Sequence, residues 1–115
     1  MGDEQRGFVR MPLPFNTWCR VYGTLSDTWH PVAMLDLSAG GMSFTSESLF
    51  ESDGSVQVKI QVPGDSQALL LRGVLRRCKI RGTNFSECGL EFLDVTPEQQ
   101  AKIDELVRFL RKSGA

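Results

Sequence analysis

The chain holds one histidine, His30, and three cysteines, Cys19, Cys78 and Cys88, none in C-x-x-C spacing. A zinc centre would need further ligands, so no metal site is expected. His30 stands before Pro31 with no nucleophile pattern beside it, and no phosphate-cradling glycine loop is present. The expectation is therefore a protein that is not an enzyme and has no cofactor. No apolar run approaches the roughly 20 residues that span a bilayer, and residues 1–6 lack the apolar core of a signal peptide. Gly2 fails as a myristoylation site because Arg6 stands where Ser or Thr is required. These absences point to a cytoplasmic protein without membrane insertion. A surplus of either charge is also missing: thirteen basic and fourteen acidic residues leave a net charge of −1. That balance argues against coating polymeric nucleic acid or an anionic membrane, but it leaves room for a local positive site. The cysteines read as reduced and mostly buried. If a turn lies near Gly82-Thr83, Cys78 and Cys88 face each other across two strands.

What is present is enough for one domain, since 115 residues support one modest core. Residues 1–16 are polar, carry arginines and are interrupted by Pro12 and Pro14, so they form a flexible, extended arm. From Thr17 the pattern is β. Cys19, Val21 and Leu25 recur at even spacing, and residues 32–35 are apolar on both parities, as in a strand buried on both faces. Residues 55–62 alternate strictly between apolar and polar, and Pro63-Gly64-Asp65 ends them. Residues 68–81 form a long strand that turns at Gly82-Thr83-Asn84 into another, and Gly73 and Gly89 mark bulges or corners of a small curved barrel. A helix over about 97–112 follows, with Thr96 as N-cap, Pro97 at the first position and Gln99 completing a capping box. Its stripe of Ile103, Leu106, Val107 and Leu110 packs on the barrel, with Phe109 off centre. The fold class is mainly β: a small antiparallel barrel over residues 17–115, closed by a C-terminal helix.

Two short segments carry the chemistry. Arg6-Gly7-Phe8-Val9-Arg10 reads R-x-x-x-R, and Asp36-Leu37-Ser38-Ala39-Gly40-Gly41 reads D-x-S-x-x-G. Arginine forks onto guanine O6 and N7, pairs bidentately with phosphate and stacks on the base. A carboxylate accepts from guanine N1–H and the N2 amino group, and a serine hydroxyl donates or accepts beside it. Asp36 and Ser38, two apart, share a strand face, and Gly40 and Gly41 permit a tight turn and close backbone approach. Taken singly, the arm reads as a solvated tail and the second segment as a strand end with a turn. In this order, in a chain this short, they resemble the PilZ family of cyclic di-GMP receptor domains. Gly89-Leu90-Glu91-Phe92 is similar to the family's G-x-x-F strand end, so the resemblance runs from about Gln5 to Leu110.

The resemblance implies a six-stranded antiparallel barrel. It also implies that Arg6, Arg10, Asp36, Ser38 and Gly41 bind cyclic di-GMP, with the arm folding over the barrel; Gln5, Gly40 and, from the basic strand, Arg77 are secondary candidates. A downstream protein of motility, secretion or polysaccharide synthesis would then be the partner of a monomer or dimer. Two features depart from the family pattern. Gln5 stands where many members carry a basic residue tied to how many ligand molecules stack, and the interval from Arg10 to Asp36 is long, with residues 24–31 as an extended loop. A barrel of this kind that binds proteins rather than nucleotide is the alternative, although such relatives typically lose the arginine pair. Arg72 and Arg76 share one parity, and Arg77, Lys79 and Arg81 the other, so at least one set faces solvent. Trp18, Trp29 and Tyr22 read as core or rim.

Overall fold

The computed structural model describes residues 13–22, 28–47, 50, 52–62, 64–82 and 85–112. Six strands follow one another: β1 (Thr17–Val21), β2 (His30–Leu37), β3 (Gly41–Ser46), β4 (Ser55–Gln61), β5 (Ala68–Arg81) and β6 (Phe85–Leu93). They close into a barrel in the order β1-β2-β3-β6-β5-β4, with every neighbouring pair antiparallel. The alternation expected over residues 55–62 is realised in β4, where Val56, Val58 and Ile60 are buried and the residues between them are not. Phe44, Met34, Leu71 and Leu75 fill the interior.

Two bulges break the period of two, and both fall where the sequence pattern misleads. One lies between Met34 and Asp36 of β2, the other between Leu75 and Arg77 of β5. An extra residue resets which parity faces inward. In β2 this buries Met34 and Leu37, exposes Asp36 and leaves Ala33 and Leu35 half-buried, so the strand is not buried on both faces as expected. In β5 it turns both arginine sets to solvent: Arg72 before the bulge and Arg76, Arg77, Lys79 and Arg81 from it onward are all exposed. Val21, expected inside, is exposed at the end of β1, and Leu25 lies outside the described residues.

The helix α1 (Pro97–Lys112) is capped as its sequence requires. The Thr96 amide donates to Gln99 Oε1 at 2.9 Å and the Gln99 amide to Thr96 Oγ1 at 3.1 Å. Gln99 Nε2 also donates to the Leu70 carbonyl at 2.8 Å, which ties the cap to β5. Ile103 and Leu106 are buried against the barrel, flanked by Val107 and Leu110. Phe109 rests its ring 6.0 Å from that of Phe15 and keeps 44% of its surface exposed. Phe15 itself is buried, and the Asn16 carbonyl accepts from the Gln61 amide at 2.9 Å, so residues 13–16 are held on the barrel. Among the described residues no helix is long and apolar enough to cross a membrane.

Cys78 and Cys88 are cross-strand partners, as the turn near Gly82 implied, and all three cysteines are free thiols. Burial pushes the Cys19 thiol from 9.0 up to about 12, reinforced by the nearby thiols of Cys88 and Cys78. Cys88 is likewise pushed up to about 12, by burial first and then by its hydrogen bond with Cys78. Ionising these groups therefore favours the unfolded chain. Their contribution is fully present below pH 9.0, the unfolded value, and is lost as pH rises toward about 12. Denaturant midpoints should fall above about pH 9, and Cys19→Ala should shallow that fall. An equally steep fall in the variant would assign it to other groups.

Candidate functional site

The site is built on the outer faces of four strands. Asp36 is exposed beside buried Leu37, Ser43 lies between buried Met42 and Phe44, and Gly89 lies between buried Cys88 and Leu90. The register sets them side by side: Asp36 opposite Ser43, Ser43 opposite Gly89, and Gly89 opposite Arg77. One lateral row across β2, β3, β6 and β5 thus runs from carboxylate through hydroxyl and bare backbone to guanidinium. A Cβ at Gly89 would meet nothing within 4 Å, so the middle of the row is an open trough between an acidic wall and a basic one. The groove has a volume of ≈ 590 Å³, and Ser38, Gly40, Arg76 and Glu91 complete its rim. That size lies within the range of about 300–1,000 Å³ usual for small-molecule sites.

The turn from β2 to β3 is stitched down on both sides. The Ser38 amide donates to the Gly41 carbonyl at 2.9 Å, and Ser38 Oγ reaches the same oxygen at 3.3 Å. The Phe92 amide donates to the Gly40 carbonyl at 2.9 Å. D-x-S-x-x-G and G-x-x-F, half the chain apart in sequence, are therefore neighbours in the sheet. Ser38 sits in the turn rather than on the β2 face with Asp36, yet both line the groove. Glycine is required at position 41 for close approach, since a Cβ there would overlap the Leu90 carbonyl oxygen of β6. Gly73 is a second such contact, against the Leu90 side chain and the Glu91 carbonyl; the bulge expected at Gly73 or Gly89 falls instead between Leu75 and Arg77.

Asp36 Oδ2 accepts from Ser43 Oγ at 2.9 Å, which orients the carboxylate toward the groove. Arg76 Nε lies 2.8 Å from Glu91 Oε1, an exposed pair of the kind worth about 0–1 kcal/mol. Arg77 makes no ion pair among the described residues, so its guanidinium is available to an anion. The bulge is what places Arg76 and Arg77 together on the outer face. The arrangement can accept hydrogen bonds from a base edge at one wall and donate a fork to phosphate at the other.

Gln5, Arg6 and Arg10 lie outside the described residues. The root of their segment is nevertheless fixed: the Leu13 amide donates to the Met34 carbonyl at 2.7 Å, two residues from Asp36. Arg10 precedes Leu13 by three residues, an extended reach of about 10 Å before its side chain is counted, and Arg6 has about 25 Å. Of the residues expected from sequence, Asp36, Ser38, Gly40, Gly41 and Arg77 meet in the groove. Sequence reasoning missed Ser43, Gly89 and Glu91 here, and offered Arg76 only as part of the basic strand. The signal for Gly89 was its place within a strand, and for Ser43 its spacing of two from Gly41.

The chain belongs to the PilZ family: the family's model, described as PilZ domain, matches residues 4–109, a span that includes both arginines of R-x-x-x-R. Comparison with curated protein sequences found no match. Among solved structures, the chain is similar to the PilZ domain of Escherichia coli YcgR with c-di-GMP, at TM-score 0.64 and 18% identity over 86% of this chain and 84% of that one. It is also similar to the Bacillus subtilis inhibitor of motility MotI/DgrA, at TM-score 0.64 and 17% identity over 89% of this chain and 49% of the other. A third is K. pneumonia MrkH in its apo state, at TM-score 0.69 and 10% identity over 91% and 50%. The chain thus spans about half the length of MotI/DgrA and MrkH. Identities this low establish likeness of fold.

Proposed function

We propose that this chain is a receptor module for cyclic di-GMP that binds the nucleotide without transforming it. On this reading Asp36, with Ser43 and Ser38 beside it, takes a guanine edge, while Arg77 and the arm arginines Arg6 and Arg10 take phosphate and base. Gly40 and Gly41 let the backbone approach. The observation that carries the reading is the row Asp36–Ser43–Gly89–Arg77, an acidic and a basic wall across a side-chain-free floor, with the arm rooted beside it. Ligand capture would order the arm over the groove and change the surface presented to a downstream cytoplasmic protein. The ligand favours that state only through contacts it makes there and nowhere else. Membership in the PilZ family and the c-di-GMP named with the YcgR structure support the choice of nucleotide.

Calorimetric titration of the full chain with cyclic di-GMP tests the reading, and its fitted stoichiometry answers the question raised by Gln5. Saturable binding is expected; none, from folded protein, would favour the adaptor alternative. Asp36→Ala should weaken binding by about ten- to a hundredfold, the loss of hydrogen bonds to a charged group worth about 1.5–3 kcal/mol. Gly89→Leu should leave the melting temperature near that of the parent, since its Cβ meets nothing within 4 Å, and yet obstruct the floor and lower affinity. Undiminished affinity in the leucine variant would remove Gly89 from the site.

A further inference from the structure

On the side of the barrel formed by β1 and β4, the inward residues Thr17, Cys19, Val58 and Ile60 are buried, so Trp18, Arg20, Gln57 and Lys59 face outward. Register continues this face onto β5, with Trp18 opposite Lys59, Lys59 opposite Leu70, and Gln57 opposite Arg72. Trp29 and Tyr22 join it, so both tryptophans and the single tyrosine of the chain stand on one face. None of them is among the fully buried core residues, so they do not behave as core.

Cations hold these rings. Lys59 Nζ lies 4.8 Å from the Trp18 ring centre and 4.6 Å from that of Trp29. The Arg20 guanidinium is 4.5 Å from Trp29, and Arg20 is fixed further by Nε and Nη2 bonds to Gln57 Oε1 at 3.0 and 2.7 Å. Arg72 lies 4.4 Å from Tyr22, and its ion-pair partner among the described residues, Asp94 at 3.5 Å, is itself well exposed. Lys59 is the informative member. It is half-buried between two indoles, and among the described residues it makes no ion pair and no hydrogen bond. An ammonium held over two indoles with no carboxylate beside it among the described residues is placed to take one from a partner.

We propose that this face docks a protein partner through an acidic segment, with a partner carboxylate on Lys59 and the two indoles and Leu70 supplying the apolar contact around it. Trp, Tyr and Arg dominate the energetics of protein interfaces because they bury large area with few rotamers to fix. The rings here are already set by their cations, which removes part of that ordering cost. Polymeric nucleic acid fits the face less well. Single strands bind by stacking bases on open ring faces, and Lys59 and Arg20 occupy ring faces of both tryptophans.

Because both tryptophans of the chain lie on this face, intrinsic fluorescence of the full chain reports on it directly. The probe is a short synthetic peptide rich in glutamate and free of aromatics, titrated beside its lysine-rich counterpart and an oligothymidylate. A saturable change in tryptophan emission is expected with the glutamate peptide alone. Lys59→Met, which keeps the packing on the indoles and removes the charge, should weaken it by about tenfold or more. Lys79→Met, an equal loss of charge at the far end of β5, should not. Equal binding by the Lys59 and Lys79 variants, no saturable change in the parent, or tighter binding of oligothymidylate would each overturn the proposal.

Discussion

Arg10→Ala is expected to lower affinity for cyclic di-GMP by about a hundredfold or more while leaving the fold intact. Each hydrogen bond to a charged group contributes about 1.5–3 kcal/mol, and a guanidinium fork on phosphate makes two. The bond from the Leu13 amide to the Met34 carbonyl lies two residues from Asp36 and three from Arg10 in sequence, so on the proposed reading the tether is short and the effective concentration of the arginine high. Among the described residues the apolar core begins at Leu13. Circular dichroism and the melting temperature should therefore match the parent. Arg10→Lys should recover only part of the loss, because an ammonium cannot fork. The measurement is titration calorimetry of the three proteins side by side. Affinity unchanged in Arg10→Ala would show that the groove holds its ligand without the arm, and the weight would shift to Arg77.

The parts of this molecule legible in sequence are those governed by local rules. The capping box of Thr96 and Gln99, the strict alternation in β4 and the long β5 strand depend on neighbours a few residues away, and the structure has each. The D-x-S-x-x-G segment was legible for a different reason: Asp36 and Gly41 flank the turn that holds Ser38 and Gly40, so their proximity is already present in the chain. What the sequence hid was set by register. No local feature distinguishes Leu35 or Arg76 as the extra residue of a bulge, and each bulge reverses the faces of everything beyond it. Arg77 faces outward, as Arg72 does, and so reaches the groove, because the bulge at Arg76 lies between them. Ser43 and Gly89 were missed because their adjacency exists only once β3 and β6 are paired.

Gly41→Ala is expected to damage the fold and the site together, and Gly40→Ala next to it to damage neither fold nor turn. At position 41 an added Cβ overlaps the Leu90 carbonyl oxygen and crowds the Leu90 carbonyl carbon and Glu91 Cα at 3.2 and 3.3 Å. All three are backbone atoms of a paired strand, so no rotamer can relieve the contact. The start of β3 must instead move away from β6. That movement strains the Gly41–Glu91 and Met42–Leu90 pairings and draws on the Phe92 amide bond to Gly40. Overpacking of this kind costs about 1–3 kcal/mol, and broken ladder bonds add to it. The melting temperature should fall by roughly 4–8 °C for each kcal/mol lost. Ser38, whose amide and hydroxyl both use the Gly41 carbonyl, loses its position at the same time, so the affinity of any surviving folded protein drops as well. At position 40 the added Cβ meets nothing within 4 Å, and the backbone there is not left-handed, so the alanine is accommodated. Thermal denaturation of the two variants separates the explanations. Equal melting temperatures would mean that the β3–β6 seam yields without cost, and the close approach at Gly41 would then owe its place to the ligand rather than to the barrel.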